Sequence, residues 1–261
     1  MEYFKLSWLF FRIGAMNEMQ YRINFFVQLF QSLLTLGTGL IVLALVFSYA
    51  ETLAGWRPAE LLAVLGVHIL MGGIIKTSIQ PNMVRLLGEV RDGTLDYALT
   101  KPVDSQLIVS VREVRLWQIM DMIIGLIVLG TSVFRLQAVI GWDDALYFAL
   151  MLALGAVIIY SFWLILATGA FWLVRMEQIV ELFQSVYQAG RWPVSIYPGW
   201  LRGMLTFLVP IAFAVTVPAE ALTGRLTVQV MVGTAALAAA LFILARWFWQ
   251  VGLRNYSGAS A

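Results

Sequence analysis

The chain has 261 residues, of which 61% are hydrophobic and 12% are charged, and its mean hydropathy is +0.84. This composition lacks the charged surface that a soluble fold of that length needs, so it indicates a membrane protein. The absence of cysteine excludes disulfide bonds and thiolate metal sites. We expect no nucleic-acid partner, because basic loops that face anionic lipid are enough to explain a pI of about 9.0.

Residues 1–21 mix aromatic residues with Lys5 and Arg12, which predicts a helix lying in the membrane interface. Six apolar runs follow, each long enough to cross roughly 30 Å of hydrocarbon. The runs are near-continuous rather than alternating, which favours helices over barrel strands. The sequence therefore predicts a single all-α membrane domain over 1–261, with transmembrane helices at 23–49, 59–80, 114–134, 144–174, 199–217 and 226–249.

The basic residues predict the orientation of these spans, because cytoplasmic loops retain Lys and Arg. With the N-terminus inside, only Arg57, Arg135 and Arg225 of the 17 Lys and Arg residues fall outside, and the other fourteen fall on or near the cytoplasmic side. Both termini are therefore predicted to face the cytoplasm, and the protein is predicted to lie in the inner (plasma) membrane.

The first span carries one narrow polar stripe, formed at helical spacing by Asn24, Gln28, Gln31 and Thr35. Two interpretations stay open. The stripe forms hydrogen bonds to another helix, or it lines a permeation path.

In the second span, His68 and Lys76 share one helix face with Gly72 between them. Lys76 lies near the cytoplasmic end and is interpreted as a structural residue that reaches the interface. His68 lies deeper, where it either donates a hydrogen bond, lines a cavity or relays protons. A proton relay needs a second buried ionisable group, and Asp121 on the third span is the one the sequence offers.

The most polar passage, within a loop at 81–107, follows the second span. Pro81 is predicted to begin a helix that ends at Asp92-Gly93, and Thr94 is predicted to cap a helix of about six residues that ends at Lys101-Pro102. This second helix would dock Leu95, Ala98 and Leu99 into a partner's groove. An ordinary solvated loop remains the alternative, although a simple connection needs only about four to six residues.

The region after the fourth span is broken by proline. Residues 177–198 predict an amphipathic helix near the inner surface, which Pro193 and Pro198 interrupt. Pro210 falls inside the fifth predicted span, so helical segments there should be short or kinked.

Motifs for chemistry are missing from the chain. No phosphate-binding Gly-x-x-x-x-Gly-Lys-Ser/Thr occurs, and the single histidine leaves no set of metal ligands. We therefore expect a non-enzymatic chain without a cofactor.

The passage Glu89…Gly93-Thr94-Leu95…Leu99…Pro102-Val103, after the second of six spans, resembles the cytoplasmic loop of ABC-2 type exporter permeases. Lys101-Pro102-Val103-Asp104 resembles a subgroup, once described as a domain of unknown function, whose ATPase is a separate chain. The resemblance implies a coupling helix in this loop that contacts a cytoplasmic ATPase, which binds ATP and Mg. The implied contact residues are Glu89, Asp92, Gly93, Thr94, Leu95, Tyr97 and Leu99.

We therefore expect a permease subunit of an ATP-binding cassette exporter, paired with a second copy or a paralogue and surrounded by membrane lipids. The alternatives are a secondary carrier driven by an ion gradient through His68 and Asp121, and a membrane scaffold that transports nothing. The stripe in the first span is compatible with amphiphilic drugs, lipids or organic cations.

Overall fold

The computed structural model describes Met16 and residues 23–136, 141–173 and 178–256. The predicted interfacial helix over 1–21 therefore lies outside the described residues, apart from Met16. Within them the chain is helical, and its one β feature is an isolated bridge between Leu53 and Trp56. Five helices are long and apolar enough to cross a membrane, which confirms an all-α membrane fold.

The helices are numbered in chain order for the described residues. They are α1 (Ile23–Phe47), α2 (Pro58–Ile74), α3 (Gln80–Arg91), α4 (Asp96–Leu99), α5 (Ser105–Val111), α6 (Ile119–Leu136), α7 (Trp142–Thr168), α8 (Gln178–Tyr187), α9 (Gly199–Gly203), α10 (Val217–Leu222) and α11 (Val228–Asn255).

The second predicted span is longer than expected, because α2 and α3 join into one continuous helix over Pro58–Arg91. A π-helical turn at Ile75–Ile79 connects them. Pro81 was predicted to begin a separate helix, but it lies in the interior of this continuous one, directly after the π-helical turn. A proline supplies no N–H for the carbonyl four residues earlier, and that carbonyl, of Thr77, accepts the backbone N–H of Arg115 at 2.9 Å.

The closest helix pair in the bundle is α2 with α6, where glycines allow the backbones to approach. A methyl group added at Gly125 would lie 2.6 Å from the backbone nitrogen of Leu70, and one at Gly66 would lie 2.8 Å from the Leu129 side chain. Small residues at such contacts let membrane helices pack tightly. The α2–α6 pair therefore forms the rigid centre of the fold.

The two ends of the bundle are identified by the segments that flank the continuous helix Pro58–Arg91. The knob end carries residues 92–104, defined here as the knob, and the loop end carries residues 48–57 between α1 and α2. The amphipathic segment after α7 runs between these ends: Tyr187 donates to the His68 carbonyl at 2.8 Å, and Ser195 accepts from the Trp56 indole at 3.0 Å. This segment therefore passes through the bundle antiparallel to α2, and its predicted position along the inner surface is wrong.

The fifth span predicted at 199–217 is a hairpin instead. Gly199–Leu208 and Ala212–Leu222 form two arms bent by 81°, with the break beside Pro210, as the proline predicted. Both arms start or finish at the loop end, because Arg202 donates to the Ser195 carbonyl and Arg225 donates to the Gly55 carbonyl. The hairpin re-enters the bundle, and the fifth crossing is α8 with the turns that follow it.

Placing Arg202 at the loop end also corrects the charge count. The predicted count of fourteen basic residues against three is therefore wrong at Arg202, and also at Arg191, which lies inside the bundle beside Leu43 and Leu65. The asymmetry between the two ends remains strong.

The loop end is closed by a cluster around Arg225. Its guanidinium donates to the Glu60 carboxylate at 2.7 Å and lies 4.6 Å from the centre of the Trp56 ring. An arginine over an indole face adds a cation–π attraction to the ion pair. The start of α2 and the start of α11 are joined here.

Candidate functional site

The knob begins with a tight helix end at Gly93. The backbone of Gly93 has φ +67°, and the N–H groups of Gly93 and Thr94 reach the carbonyls of Val90 and Glu89. Glycine takes this left-handed conformation without a side-chain clash. Asp92-Gly93 therefore ends the helix, as the sequence predicted.

The helix that follows, α4, has four residues, fewer than the six predicted, and its N-cap is Leu95 rather than Thr94. Its most prominent side chain is Tyr97, which is 79% exposed. Around it, Asp92, Thr94, Lys101 and Pro102 are also exposed. The knob therefore presents one aromatic ring within a polar surface, the composition that interface centres favour.

Two residues predicted to dock into a partner face the protein's own core. Leu95 is 0% and Ala98 is 2% exposed, and Leu99 packs partly against the same core. Leu95 has no surface to offer a second protein, so this part of the prediction is wrong. The buried side of α4 fixes the direction in which Tyr97 points.

Glu89 also serves to hold the knob in place. Its carboxylate accepts from Arg112 at 2.6 Å and from Arg85 at 2.9 Å, and its side chain is only 15% exposed. The side chain of Asn82, on α3, also bonds to the backbone N–H and C=O groups of Glu113, which follows α5. The helix entering the knob is thereby fastened to the segment leaving it.

A second set of contacts joins the knob to α11. Asp104 accepts from Arg246 at 2.9 Å, and Ser105 accepts from the Trp249 indole at 3.2 Å. Hydrogen bonds from Arg246 hold the pKa of the Asp104 carboxyl below its usual range. A displacement of the knob is therefore transmitted to two long helices, α3 and α11.

Inside the bundle, the polar stripe of α1 meets a buried carboxylate. The Gln28 amide donates to Asp121 at 3.2 Å, and the Ser32 hydroxyl donates to the same oxygen. Lys76 donates to the other oxygen of Asp121 at 3.3 Å. We call these four side chains the Asp121 cluster; it fastens α1 and the π-helical turn after α2 to α6. Helix–helix bonding is thus one task of the stripe.

A cavity of about 290 Å³ lies beside this cluster, between α1, the π-helical turn and α8. We call it the polar cavity. Gln28 and Gln31 belong to its wall, so the polar stripe of α1 also faces a cavity large enough to hold water. The full lining is Gln28, Gln31, Gly72, Ile75, Lys76, Gln80, Arg115, Gln118, Phe183, Gln184, Tyr187 and Gln188.

The remaining candidates of the first two spans lie elsewhere. Asn24 is exposed and Thr35 is half-buried, and neither belongs to the cavity wall. His68 is 4% exposed, stacks on Tyr187 with ring centres 4.5 Å apart, and does not line the polar cavity. Of the five residues predicted for a pathway, the structure brings Gln28 and Gln31 to the cavity.

Sequence reasoning missed most of the cavity wall. Gln80, Arg115 and Gln118 lie on both sides of the knob in sequence and converge only because the chain returns along α3. Gln184 and Gln188 lie four residues apart in the amphipathic segment predicted at 177–198. That polarity marks a cavity wall rather than a membrane surface.

The family is decided by one comparison. A family model described as "ABC-2 family transporter protein" matches residues 33–260. The chain belongs to this family. No curated protein and no solved structure matches it. The ABC-2 membership confirms the resemblance carried by residues 89–103 and establishes a multi-pass membrane component of a transporter of this type.

Proposed function

We propose that this ABC-2 family chain is the permease subunit of an exporter, driven by a separate cytoplasmic ATPase. The knob is the proposed ATPase contact, which places the knob end and both termini in the cytoplasm. Two permease chains, identical or paralogous, would form the pathway, and ATP with Mg would bind to the ATPase alone.

The observation that carries the proposal is the exposed Tyr97 on a rigid support. Tyr97 is the one aromatic side chain of the knob and is 79% exposed, and tyrosine is among the residues that contribute most binding energy at interfaces. The ion pairs of Glu89 and Asp104 fasten the ring's support to two long helices. A push on Tyr97 therefore moves the helices rather than bending a loop.

The same helix links the knob to the polar cavity. The continuous helix Pro58–Arg91 ends at the knob and supplies Lys76 and Gln80 to the cavity wall. Single π-helical turns like the one at Ile75–Ile79 occur frequently at functional sites. In the proposed mechanism, ATP-driven movement of the knob tilts this helix and changes the access of the cavity.

A carrier driven by an ion gradient is the weaker alternative. It requires ionisable groups that exchange ions with the path. His68 does not line the polar cavity, and Asp121 already binds Gln28, Ser32 and Lys76.

Co-purification tests the proposal. The tagged chain is isolated from its native membranes with Tyr97→Ala, and the recovered ATPase is quantified by mass spectrometry and ATP hydrolysis. We expect much less ATPase than with the unmodified chain, because losing an interface hot spot costs about 2 kcal/mol, a factor of about thirty in affinity.

Tyr49→Ala is the matched control, because Tyr49 is 87% exposed but lies at the loop end. It should retain the ATPase fully. Equal recovery with Tyr97→Ala and the unmodified chain, or loss with Tyr49→Ala, would remove the knob as the contact.

A further inference from the structure

The polar cavity has a distinctive chemistry, because its wall combines amides with positive charge. Six of its twelve lining residues are glutamines, two are the cationic Lys76 and Arg115, and none is a carboxylate. Glutamine amides both donate and accept hydrogen bonds, and the two cations only donate. Such a wall complements an anion that also carries hydroxyl groups.

Several of these polar groups have capacity for a ligand. Lys76 is bound on one side by Asp121, yet its side chain is 45% exposed and an ammonium has three donors. The side chain of Arg115 forms no hydrogen bond with the described residues and is exposed. The buried side-chain oxygen of Gln118 likewise has no donor among them.

The charge of the site has a definite sign. Asp121 lies behind Lys76 and is 8% exposed, so its negative charge is offset by the lysine that covers it. Arg115 adds a second positive charge with no carboxylate facing it across the cavity. The net field therefore attracts an anion and opposes an organic cation.

A smaller cavity, with a mostly apolar wall, lies nearer the loop end than the polar cavity. This second cavity has a volume of about 60 Å³ and lies between α1 and the turn after α8. Its wall is mostly apolar, with one guanidinium: it is lined by Gly39, Val42, Leu43, Leu65, Trp192 and Arg191. Both cavities have α1 on one side and the α8 segment on the other. A ligand with a polar head and an apolar tail would fit this order of surfaces.

We propose that the polar cavity binds the hydroxyl-bearing anionic headgroup of an amphiphile, whose apolar tail lies along the groove between α1 and α8. A volume of about 290 Å³ is at the lower limit for a drug-sized pocket, so it admits a headgroup rather than a whole amphiphile. The inference deepens the proposed function, because it assigns a substrate class to the transport path.

The test is a binding titration of the full chain in a neutral maltoside detergent, followed by calorimetry. The probes are short-chain phosphatidylglycerol, short-chain phosphatidylcholine and free glycerol 3-phosphate. We expect saturable binding of phosphatidylglycerol that is at least tenfold tighter than binding of either other probe. Arg115→Gln should weaken it roughly tenfold, since a charge-assisted hydrogen bond is lost.

Two further variants keep the outcome interpretable. Arg135→Gln removes a positive charge from the far end of α6 and should leave binding unchanged. The double variant Lys76→Gln with Asp121→Asn removes the lysine without leaving a buried unpaired carboxylate, and should weaken binding like Arg115→Gln. Melting curves confirm that each variant is folded.

Three outcomes would overturn the proposal. They are equal affinity for phosphatidylcholine, equal affinity for free glycerol 3-phosphate, which would make the ligand a soluble anion, and affinity that Arg115→Gln does not alter. Because the titration needs no ATPase, its failure leaves the co-purification result intact, and a failed co-purification leaves the titration intact.

Discussion

The first two spans of the protein differ in how their neighbours hold them. In the most apolar stretch of the helix Pro58–Arg91, 83% of the residues are buried inside the protein, against 11% in α1. Lipid solvates an apolar helix as well as another helix does, so α1 gains little from burial and depends on close packing and hydrogen bonds. The helix formed by α2 and α3 is therefore fixed by its packing, whereas α1 is held mainly by the Asp121 cluster.

The strongest test of this contrast is in the α2–α6 contact. Gly125→Ala would place a methyl group 2.6 Å from the Leu70 backbone nitrogen, which two packed backbones cannot accommodate without moving. We expect a loss of about 2–3 kcal/mol in unfolding free energy, within the range for overpacking. Denaturant unfolding in mixed micelles measures it.

Gly130→Ala on the same helix is the matched control, because no atom lies within 4 Å of its added methyl. It should be neutral or stabilising by up to about 1 kcal/mol, since alanine favours helix. Equal losses of unfolding free energy at Gly125 and Gly130 would contradict the tight packing of α2 against α6.

The attachment of α1 is tested at its polar contact. Asp121→Ala removes the acceptor of Gln28, Ser32 and Lys76 together. We expect a smaller loss of about 1–2 kcal/mol, as for hydrogen bonds between membrane helices. Hydrogen exchange should accelerate in α1 while α2 stays protected.

Thr38→Val provides the comparison, because among the described residues the Thr38 hydroxyl bonds only within α1, to the Thr35 carbonyl. Its exchange pattern should match the unmodified protein. If exchange after Asp121→Ala rose in α2 as much as in α1, the two spans would not be held differently.

The smallest effect is expected at the knob. The pKa of Asp104 is lowered by Arg246, so this pair stabilises the fold above the ordinary aspartate pKa of about 3.9 and the contribution is lost as pH falls below it. Both side chains are more than a third exposed, which limits the contribution to less than about 1 kcal/mol.

Melting temperatures of the unmodified chain and Asp104→Asn measure this contribution. The unmodified chain should melt higher at pH 7, and the difference should shrink towards pH 3. A difference that grows with acid would contradict the ion pair.

The sequence predicted the fold wherever hydropathy corresponds to burial in lipid. The spans at α1, α6, α7 and α11 are continuous apolar runs, and Pro210 marked the broken segment. The fifth crossing escaped detection because α8 faces the polar cavity with Gln184 and Gln188, while the more apolar stretch after it is a re-entrant hairpin. Hydropathy cannot separate an apolar segment buried in protein from one that spans lipid.

The candidate site was predictable only in part for a related reason. Gly93 and the helix end at Asp92 follow from local backbone preferences, and Tyr97 was among the expected contacts. Which face of α4 meets the core depends on distant residues, so Leu95 was misassigned. Gln80, Arg115 and Gln118 converge through the path of the chain, which spacing along a single helix does not reveal.

Pro81 has a consequence for how the protein can be altered. The Thr77 carbonyl is available to Arg115 because proline has no hydrogen to offer it. Any other residue at position 81 would supply a backbone N–H that competes for that oxygen. This N–H would also favour regular α-helical hydrogen bonding in place of the π turn. The missing N–H of Pro81 thus leaves room for one more hydrogen bond between the outgoing and returning chains, beside those of Asn82 and Glu89.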